Sequence, residues 1–496
     1  MPPIAAAAAG VLAAGLVPLG HIGIGWVLAG LAVAVAITVS LGRAPRSPGG
    51  AAGSLGGAAG DQAPGYAGHS AMQDLSPANQ VERWGWALAA LVLLAVGALR
   101  AAEWLLGLCL FGAAVATVLA ITGGRSLRGL ALGALLVPAA GWRGVIWGHR
   151  GIARLRHHVS PAVRIGPTVA VTAAVLLVFG ALFASADAVF SRLLGTAVPD
   201  LQGASVLRWT FLFGAAGTLV LGAVFLLLAP PTLDRVSNGR PRIRLIEWAV
   251  PVGALVALFA SFVGVQLTVL FGGVTYVLGP DGPTYAQYAR GGFWQLLLVT
   301  ALTLLVIGLV ARLAPRHTPV ERWCLRGLLG ALGALTLVIV ASALFRMHTY
   351  QEAYGFTRLR VLVSVAELWL GLVFLLVLAA GVRLRARWLP RAVVATGIAA
   401  LLALAALNPD RFIAERNIDR WESGRPLDTA YLAGLSADAV PALVCLPGPQ
   451  REAALTGNHS RPSTDWRRAN LAQAIARDLL ADAPPGCDGR YRQGSE

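Results

Sequence analysis

Between Phe345 and Glu367 the sequence FRMHTYQEAYGFTRLRVLVSVAE sets Arg346, His348, Tyr350, Glu352, Tyr354, Thr357, Arg358 and Arg360 between two long apolar runs. A dense polar segment between two spans is where specific chemistry can sit, since charges inside hydrocarbon usually mark a pathway or a structural pair. Further polar residues interrupt an otherwise greasy chain: Asp187 in LFASADAVF, Tyr285, Tyr288 and Arg290 in YAQYARGGF, Glu367 in VSVAELWLG, then Asn408 and Asp410. Asp187 and Glu367 are the acids that fall deepest within apolar sequence. If these segments converge, Asp187, Tyr288, Arg290, Arg346, His348, Glu352, Tyr354 and Glu367 line a mixed-charge polar cavity rimmed by tyrosine. The same residues also fit an interfacial aromatic belt with arginines snorkelling to headgroups, each buried acid being neutralised by an arginine from a neighbouring loop. Glu103 and Glu247 stand at span starts, where a carboxylate near a helix amino terminus is favourable in any case.

Other chemistries lack their templates. There is no lysine to end a phosphate loop, no HExxH and no CxxC. No nucleophile is accompanied by a base and an orienting partner. No catalytic residue, metal site or cofactor is expected. His157 and His158 sit in a basic loop and read as solvated surface, and Asn458-His459-Ser460 is a glycosylation pattern too short to count. Of the four cysteines, Cys109 and Cys324 fall in or beside apolar runs as packing residues. Cys445 and Cys487 form the candidate disulfide, which in an oxidising compartment would contribute about 4 kcal/mol on the chain-entropy model. Two unpaired thiols are the alternative.

What must position these groups is a membrane scaffold. The chain is 56% hydrophobic and 13% charged over 496 residues, with mean hydropathy +0.68, too apolar for a soluble domain of this length. Apolar runs long enough to cross a hydrocarbon layer of about 30 Å recur near 4–20, 22–41, 84–99, 101–122, 165–186, 206–229, 246–272, 293–311, 327–345, 361–382 and 391–407. The fold class is all-α: a polytopic transmembrane helical bundle of about eleven spans with a small helical C-terminal appendage. A twelfth span arises if 127–147, with Pro138 and with Arg143 between Trp142 and Trp147, crosses rather than lies on the surface. Met1-Pro2-Pro3 has no basic n-region and a second run follows at once, so the first run reads as an anchor.

The chain divides into an N-terminal membrane hairpin (1–41), a flexible Gly/Pro/Ala linker (42–80), the main bundle (81–407) and an extracytoplasmic helical tail (408–496). In that tail Ser436 is placed to cap a helix running to about Leu446, and Asp465 or Thr464 to cap WRRANLAQAIARDLLADA. The net charge of +16 belongs to loops between spans: residues 1–407 hold 29 Arg and 12 acids, residues 408–496 hold 11 and 12. That placement orients helices and excludes a nucleic-acid partner. Four loops carry four arginines each, among them Arg312, Arg316, Arg322 and Arg326, whereas the alternate loops share six. The positive-inside rule then places the N-terminus in the cytoplasm and the FRMHTYQEAYGF loop and C-terminus outside a bacterial plasma membrane.

The segments FRMHTYQEAYGFTRLR, YAQYARGGF, LFASADAVF and NPDRFIAERNIDRWESGRPLDTAYLAGLSADAVPAL, in that setting, resemble the bacterial integral-membrane family catalogued as domain of unknown function 4153/4173. The resemblance runs from about residue 84 to 445. It implies a polytopic helical membrane protein and carries no reaction, ligand or catalytic residue across. The expectation is therefore a multi-pass membrane protein engaged in transport or ligand response through an outward-facing polar cavity. One alternative is a non-catalytic scaffold anchored in the lipid bilayer, docking an envelope protein through residues 408–445. Another is an intramembrane enzyme acting on a lipid-linked substrate.

Overall fold

The computed structural model describes residues 2–18, 23–42, 77–122, 203–228, 245–271, 293–383, 388–457 and 465–481. Among these residues every regular element is helical. Among the described residues six helices are long and apolar enough to cross a membrane: Gln80–Leu99, Glu103–Ile121, Leu245–Gly264, Pro319–Tyr354, Arg358–Val382 and Leu389–Leu407. Four apolar helical stretches are shorter, Ile4–Leu16, Gly25–Ser40, Leu212–Val224 and Val299–Leu313. Their outward faces carry largely exposed Phe111, Ile246, Leu305, Leu368 and Val382, the surface that suits hydrocarbon and not water. The linker expected over 42–80 gives way to helix at Pro77. The run at 165–186, the segment 127–147 and the loops bearing Asp187, Tyr288 and Arg290 lie outside the described residues.

The contacts divide the chain into two compact units. The first joins residues up to Arg235 with Pro462–Ala474, and the second holds Val236–Arg461 with the last residues.

In the first unit, α1 (Pro2–Leu16), α2 (Gly25–Gly42), α3 (Pro77–Leu99), α4 (Glu103–Thr122) and α5 (Gly203–Leu228) pack side by side. Small residues set the closest approach. Ala6, Gly10 and Ala14 recur every four residues along α1, so they share one face. Ala6, Ala9, Ala13 and Ala14 are buried, and a Cβ on Gly10 would sit 2.7 Å from the Phe213 ring of α5. Such a small-residue face lets helices pack by van der Waals contact where lipid gives no hydrophobic drive. Gly10 meets Phe213, Gly15 meets Trp209 and Gly217 meets Ala6, so α1 and α5 are antiparallel.

A segment from far along the chain closes one end of this unit. The 3-10 turn Trp466–Arg468 is capped by Asp465, whose side chain accepts from Arg467 N, and α15 (Leu471–Ala481) follows. Arg467 Nη1 donates to Gly15 O at 2.7 Å, and Ile24 N donates to Ala469 O at 3.0 Å. Gly23 has no room for a Cβ against the Arg467 carbonyl. Asn470 donates to Gly97 O (2.9 Å) and Arg100 O (2.7 Å) while its Oδ1 accepts from Gln473 N. The helix expected to run unbroken from Trp466 therefore starts at Leu471, with Asn470 as its cap, because residues 465–470 are spent on the ends of α1 and α3. Asn470→Ala strands the buried Gly97 carbonyl, the part-buried Arg100 carbonyl and an N-terminal amide. It is expected to cost about 1–2 kcal/mol, read as faster proteolysis within residues 465–481.

In the second unit, α6 (Leu245–Phe271), α7 (Phe293–Leu313), α8 (Pro319–Tyr354) and α9 (Arg358–Arg383) share an apolar core of Phe259, Val263, Ile307, Leu332, Ile339 and Phe374, and α10 (Leu389–Leu407) follows against α9. α8 starts in a capping box, with Thr318 and Glu321 exchanging backbone and side-chain bonds and Pro319 in its first turn. Trp248 and Val252 pack with Ala314 and Leu325, so the start of α6 meets the α7–α8 junction. Gly333 contacts Leu378 and Gly371 contacts Val340, which makes α8 and α9 antiparallel. Trp369 Nε1 donates to Thr396 Oγ1 at 3.2 Å across to α10. Arg312, Arg316, Arg322, Arg326 and Arg391 therefore gather at one end of this helix set. At the other end the chain leaves α10 through Asn408 in the left-handed region (φ 55) and builds a cap. Its elements are α11 (Pro409–Glu422), α12 (Thr429–Ala433), the 3-10 turn Ala437–Ala439, α13 (Val440–Leu443) and α14 (Gly448–Leu455).

The polar stretch expected as a loop after Phe345 is instead helix. α8 runs 36 residues to Tyr354, about 54 Å at the usual rise. Ser436, expected to cap one helix to Leu446, precedes the 3-10 turn and makes no side-chain cap bond. Its Oγ turns to Asp438 Oδ2 instead.

Candidate functional site

The end of α8 shows why its helix persists through polar sequence. A helix leaves its last carbonyls without intrahelical partners. Here Gln351 O accepts from Gly355 N at 2.8 Å, Glu352 O and Ala353 O accept from Arg420 Nε and Nη2 at 2.9 Å each, and Tyr354 O accepts from Arg360 Nη1 at 3.0 Å. Two guanidinium groups thus terminate the helix, where cations also favour the macrodipole. Arg360 lies over the Tyr350 ring at 4.3 Å, and Tyr350 packs on Tyr354 at 4.9 Å between centroids. Gly355 takes φ 85 and ψ 169, and the chain turns into α9.

α11 locks this turn. Arg358 Nε and Nη2 donate to Asp410 Oδ1 (2.9 Å) and Oδ2 (2.6 Å), a two-point pair, and Asp410 Oδ2 also accepts from Ser436 N at 2.9 Å. Asp410 is fully buried. Burial alone would push its carboxyl up, but the Arg358 guanidinium and the Ser436 amide outweigh that and hold it below the usual carboxylate range. Arg358 N donates to Tyr431 Oη at 2.8 Å. Asn417 donates to Phe356 O and accepts from Phe356 N, both at 2.9 Å, pairing as a strand neighbour would. Phe356 meets Phe412 edge-on at 5.8 Å. Beneath these contacts Ile413, Ala414 and Ile418 of α11 are buried, as are Leu432, Val440 and Leu443 of the elements that follow. The tail's apolar positions therefore serve a core of their own.

Between the end of α8 and α11 opens a cleft of about 490 Å³ lined by Thr349, Glu352, Ala353, Phe356, Arg416, Asp419, Arg420, Ser423 and Arg425. Arg420 is committed to the α8 carbonyls. Arg416 lies 3.6 Å from Asp419 and 5.4 Å from the Phe412 ring centroid, and its side chain is half exposed. Three guanidinium groups stand here against the two carboxylates of Glu352 and Asp419, a net positive lining of the kind that favours a small anion, while the Thr349 and Ser423 hydroxyls are already donated to Phe345 O and Asp419 O.

A family model described as a domain of unknown function (DUF4153) matches residues 88–446. The chain belongs to this family. The DUF4153 match takes in the whole of α8 to α13, hence the cleft and the Arg358–Asp410 lock, and leaves α1, α2 and residues 465–470 outside. No curated protein and no solved structure matches the chain.

Of the residues singled out from sequence, Glu352 lines the cleft. Arg346 is half-buried and His348 exposed earlier on α8, while Tyr354 stays 48% exposed beside Tyr350. Glu367 is buried within α9, apart from the cleft. Asp187, Tyr288 and Arg290 lie outside the described residues. Cys109 and Cys324 are free thiols and Cys445 is disulfide-bonded, while Cys487 lies outside the described residues. Sequence reading missed Asn417, Arg420 and Tyr431 as partners of the α8–α9 turn. The available signal was Pro409-Asp410, the opening of a helix with an acid in its first turn.

Proposed function

We propose that the chain is a multi-pass plasma-membrane protein of about eleven spans that responds to, or transports, a small anion admitted at the cleft between α8 and α11. The carrying observation is the cleft itself: Arg416 and Arg425 face it beside Arg420, whose own nitrogens already cap α8. Guanidinium groups suit carboxylate or phosphate better than any neutral ligand. In orientation, the arginine-bearing ends of α7, α8 and α10 lie in the cytoplasm and the cap outside. The gathering of Arg312, Arg316, Arg322, Arg326 and Arg391 away from α11 supports this reading. An external cap also suits a bond between Cys445 and Cys487.

The test is thermal unfolding of the protein in lipid nanodiscs with inorganic phosphate against chloride at equal ionic strength. Phosphate is expected to raise the melting temperature of the natural sequence and to leave an Arg416→Gln/Arg425→Gln variant unmoved. An equal shift in both, or none in either, removes the anion reading. In the second outcome an alternative gains: an envelope protein docking on residues 408–445. What favours it is the exposed side of α11, with Arg411, Arg416, Asp419 and Glu422.

A further inference from the structure

Glu367 stands nine residues into α9, about 14 Å along the helix from Arg358. It is 4% exposed, and its Oε2 is buried with no hydrogen-bond partner among the described residues. No other acid lies in the interior of α6 to α10, since Glu247 and Glu321 open their helices and Glu352 ends α8. An ionised carboxylate left unpaired in an apolar span is costly enough that the group takes up a proton instead.

Its surroundings are polar on one side only. One turn toward the cap, Ser364 shares the face of Glu367. Ser364 Oγ donates to Arg360 O at 3.0 Å and accepts from Nε2 of buried Gln351 at 3.2 Å. Two turns the other way Phe374 is fully buried in the core with Phe259, Ile307 and Leu332. The α8–α9 register, fixed by Val340 against Gly371 and Gln351 against Ser364, brings Ala343 and Met347 to the level of Glu367. These side chains offer no oxygens to complete a metal-ion shell, whereas a proton needs only the carboxyl itself.

We propose that Glu367 is a proton-binding site within the span, neutral at rest and exchanging with water from the cap end, the side on which Ser364 and Gln351 lie. The step balances without a further reactant: the carboxylate takes a proton from hydronium, leaving water, and returns it to water. This goes beyond the anion reading of the cleft and does not depend on it. At this level α8 carries Arg346 and His348. α6, α7 and α10 carry no charged group between Glu247, Arg312 and Arg391 at their far ends, and Asp410 of α11 is locked on Arg358.

In nanodiscs at neutral pH, dicyclohexylcarbodiimide, which attacks protonated carboxyls in apolar surroundings, is expected to label Glu367 several-fold more than exposed Glu352, with labelling falling as pH rises. The infrared carbonyl band of a protonated acid should be present and lost in Glu367→Gln, a near-isosteric change that spares packing. Ser364→Ala should keep the band and slow its deuterium shift several-fold. An unlabelled Glu367 with no band lost in Glu367→Gln shows an ionised group and overturns the site. An unchanged deuterium shift in Ser364→Ala overturns the route. Neither readout depends on phosphate, so failure here and failure of the cleft reading are separable.

Discussion

Asp410→Ala is expected to release the cap from the α8–α9 turn while leaving the apolar helices in place. The substitution removes a fully buried carboxylate that holds Arg358 at two points and receives the Ser436 amide. Breaking such a pair from one side typically costs about 3–5 kcal/mol, because the remaining charge is left without compensation. The Arg358 side chain is 35% exposed and can partly rehydrate, so the lower end, about 3 kcal/mol, applies. That corresponds to roughly a hundredfold rise in the open population. Hydrogen exchange at the Ser436 and Phe356 amides, and proteolysis within residues 409–446, should rise together in the variant. Unchanged protection at both amides would show that the apolar core under α11 suffices. The same contact has a pH signature. Asp410 is held below the ordinary carboxylate value, so its contribution is complete above about pH 4. It is lost as pH falls through the lower value in the folded protein. Acid should therefore loosen the cap of the natural sequence and have little further effect on Asp410→Ala.

Gly355→Ala is expected to be comparably damaging for a different reason. At φ 85 and ψ 169 the backbone lies in a region used almost only by glycine, with a strain of about 1–3 kcal/mol for other residues. A Cβ there would also come within 2.7 Å of Asn417 Oδ1 and 2.9 Å of Arg420 Nη1, the two side chains that fasten α11 to the turn. Neither can withdraw freely, since one pairs with Phe356 and the other caps Glu352 and Ala353. Gly424 provides the control, with φ 82 and nothing within 4 Å of an added Cβ. Gly424→Ala should show strain alone, and Gly355→Ala strain plus a separated cap. Equal losses in melting temperature for the two would mean that the turn yields and the close packing carries no weight.

The apolar helices were legible because a run of about twenty greasy residues has one stable answer in a bilayer, and the described helices fall where those runs lie. The end of α8 was not legible. Arg346 to Tyr354 look like a loop, since nothing nearby in sequence says that Arg420 will satisfy the helix carbonyls from 67 and 68 residues away. Nor does anything local say that Ile413 and Ile418 of the tail are buried beneath that turn.

The sequence by itself determined an all-helical, membrane-suited chain and its family, because hydropathy and the motifs that carry the resemblance are local properties. The tertiary structure decided which polar groups meet: Asp410 with Arg358, Asn417 with Phe356, Arg467 with Gly15. It also separated Glu352, at the cleft, from Glu367, buried along α9. These pairings depend on helix register and on close approach at single residues such as Gly355 and Gly23, which composition and periodicity do not encode.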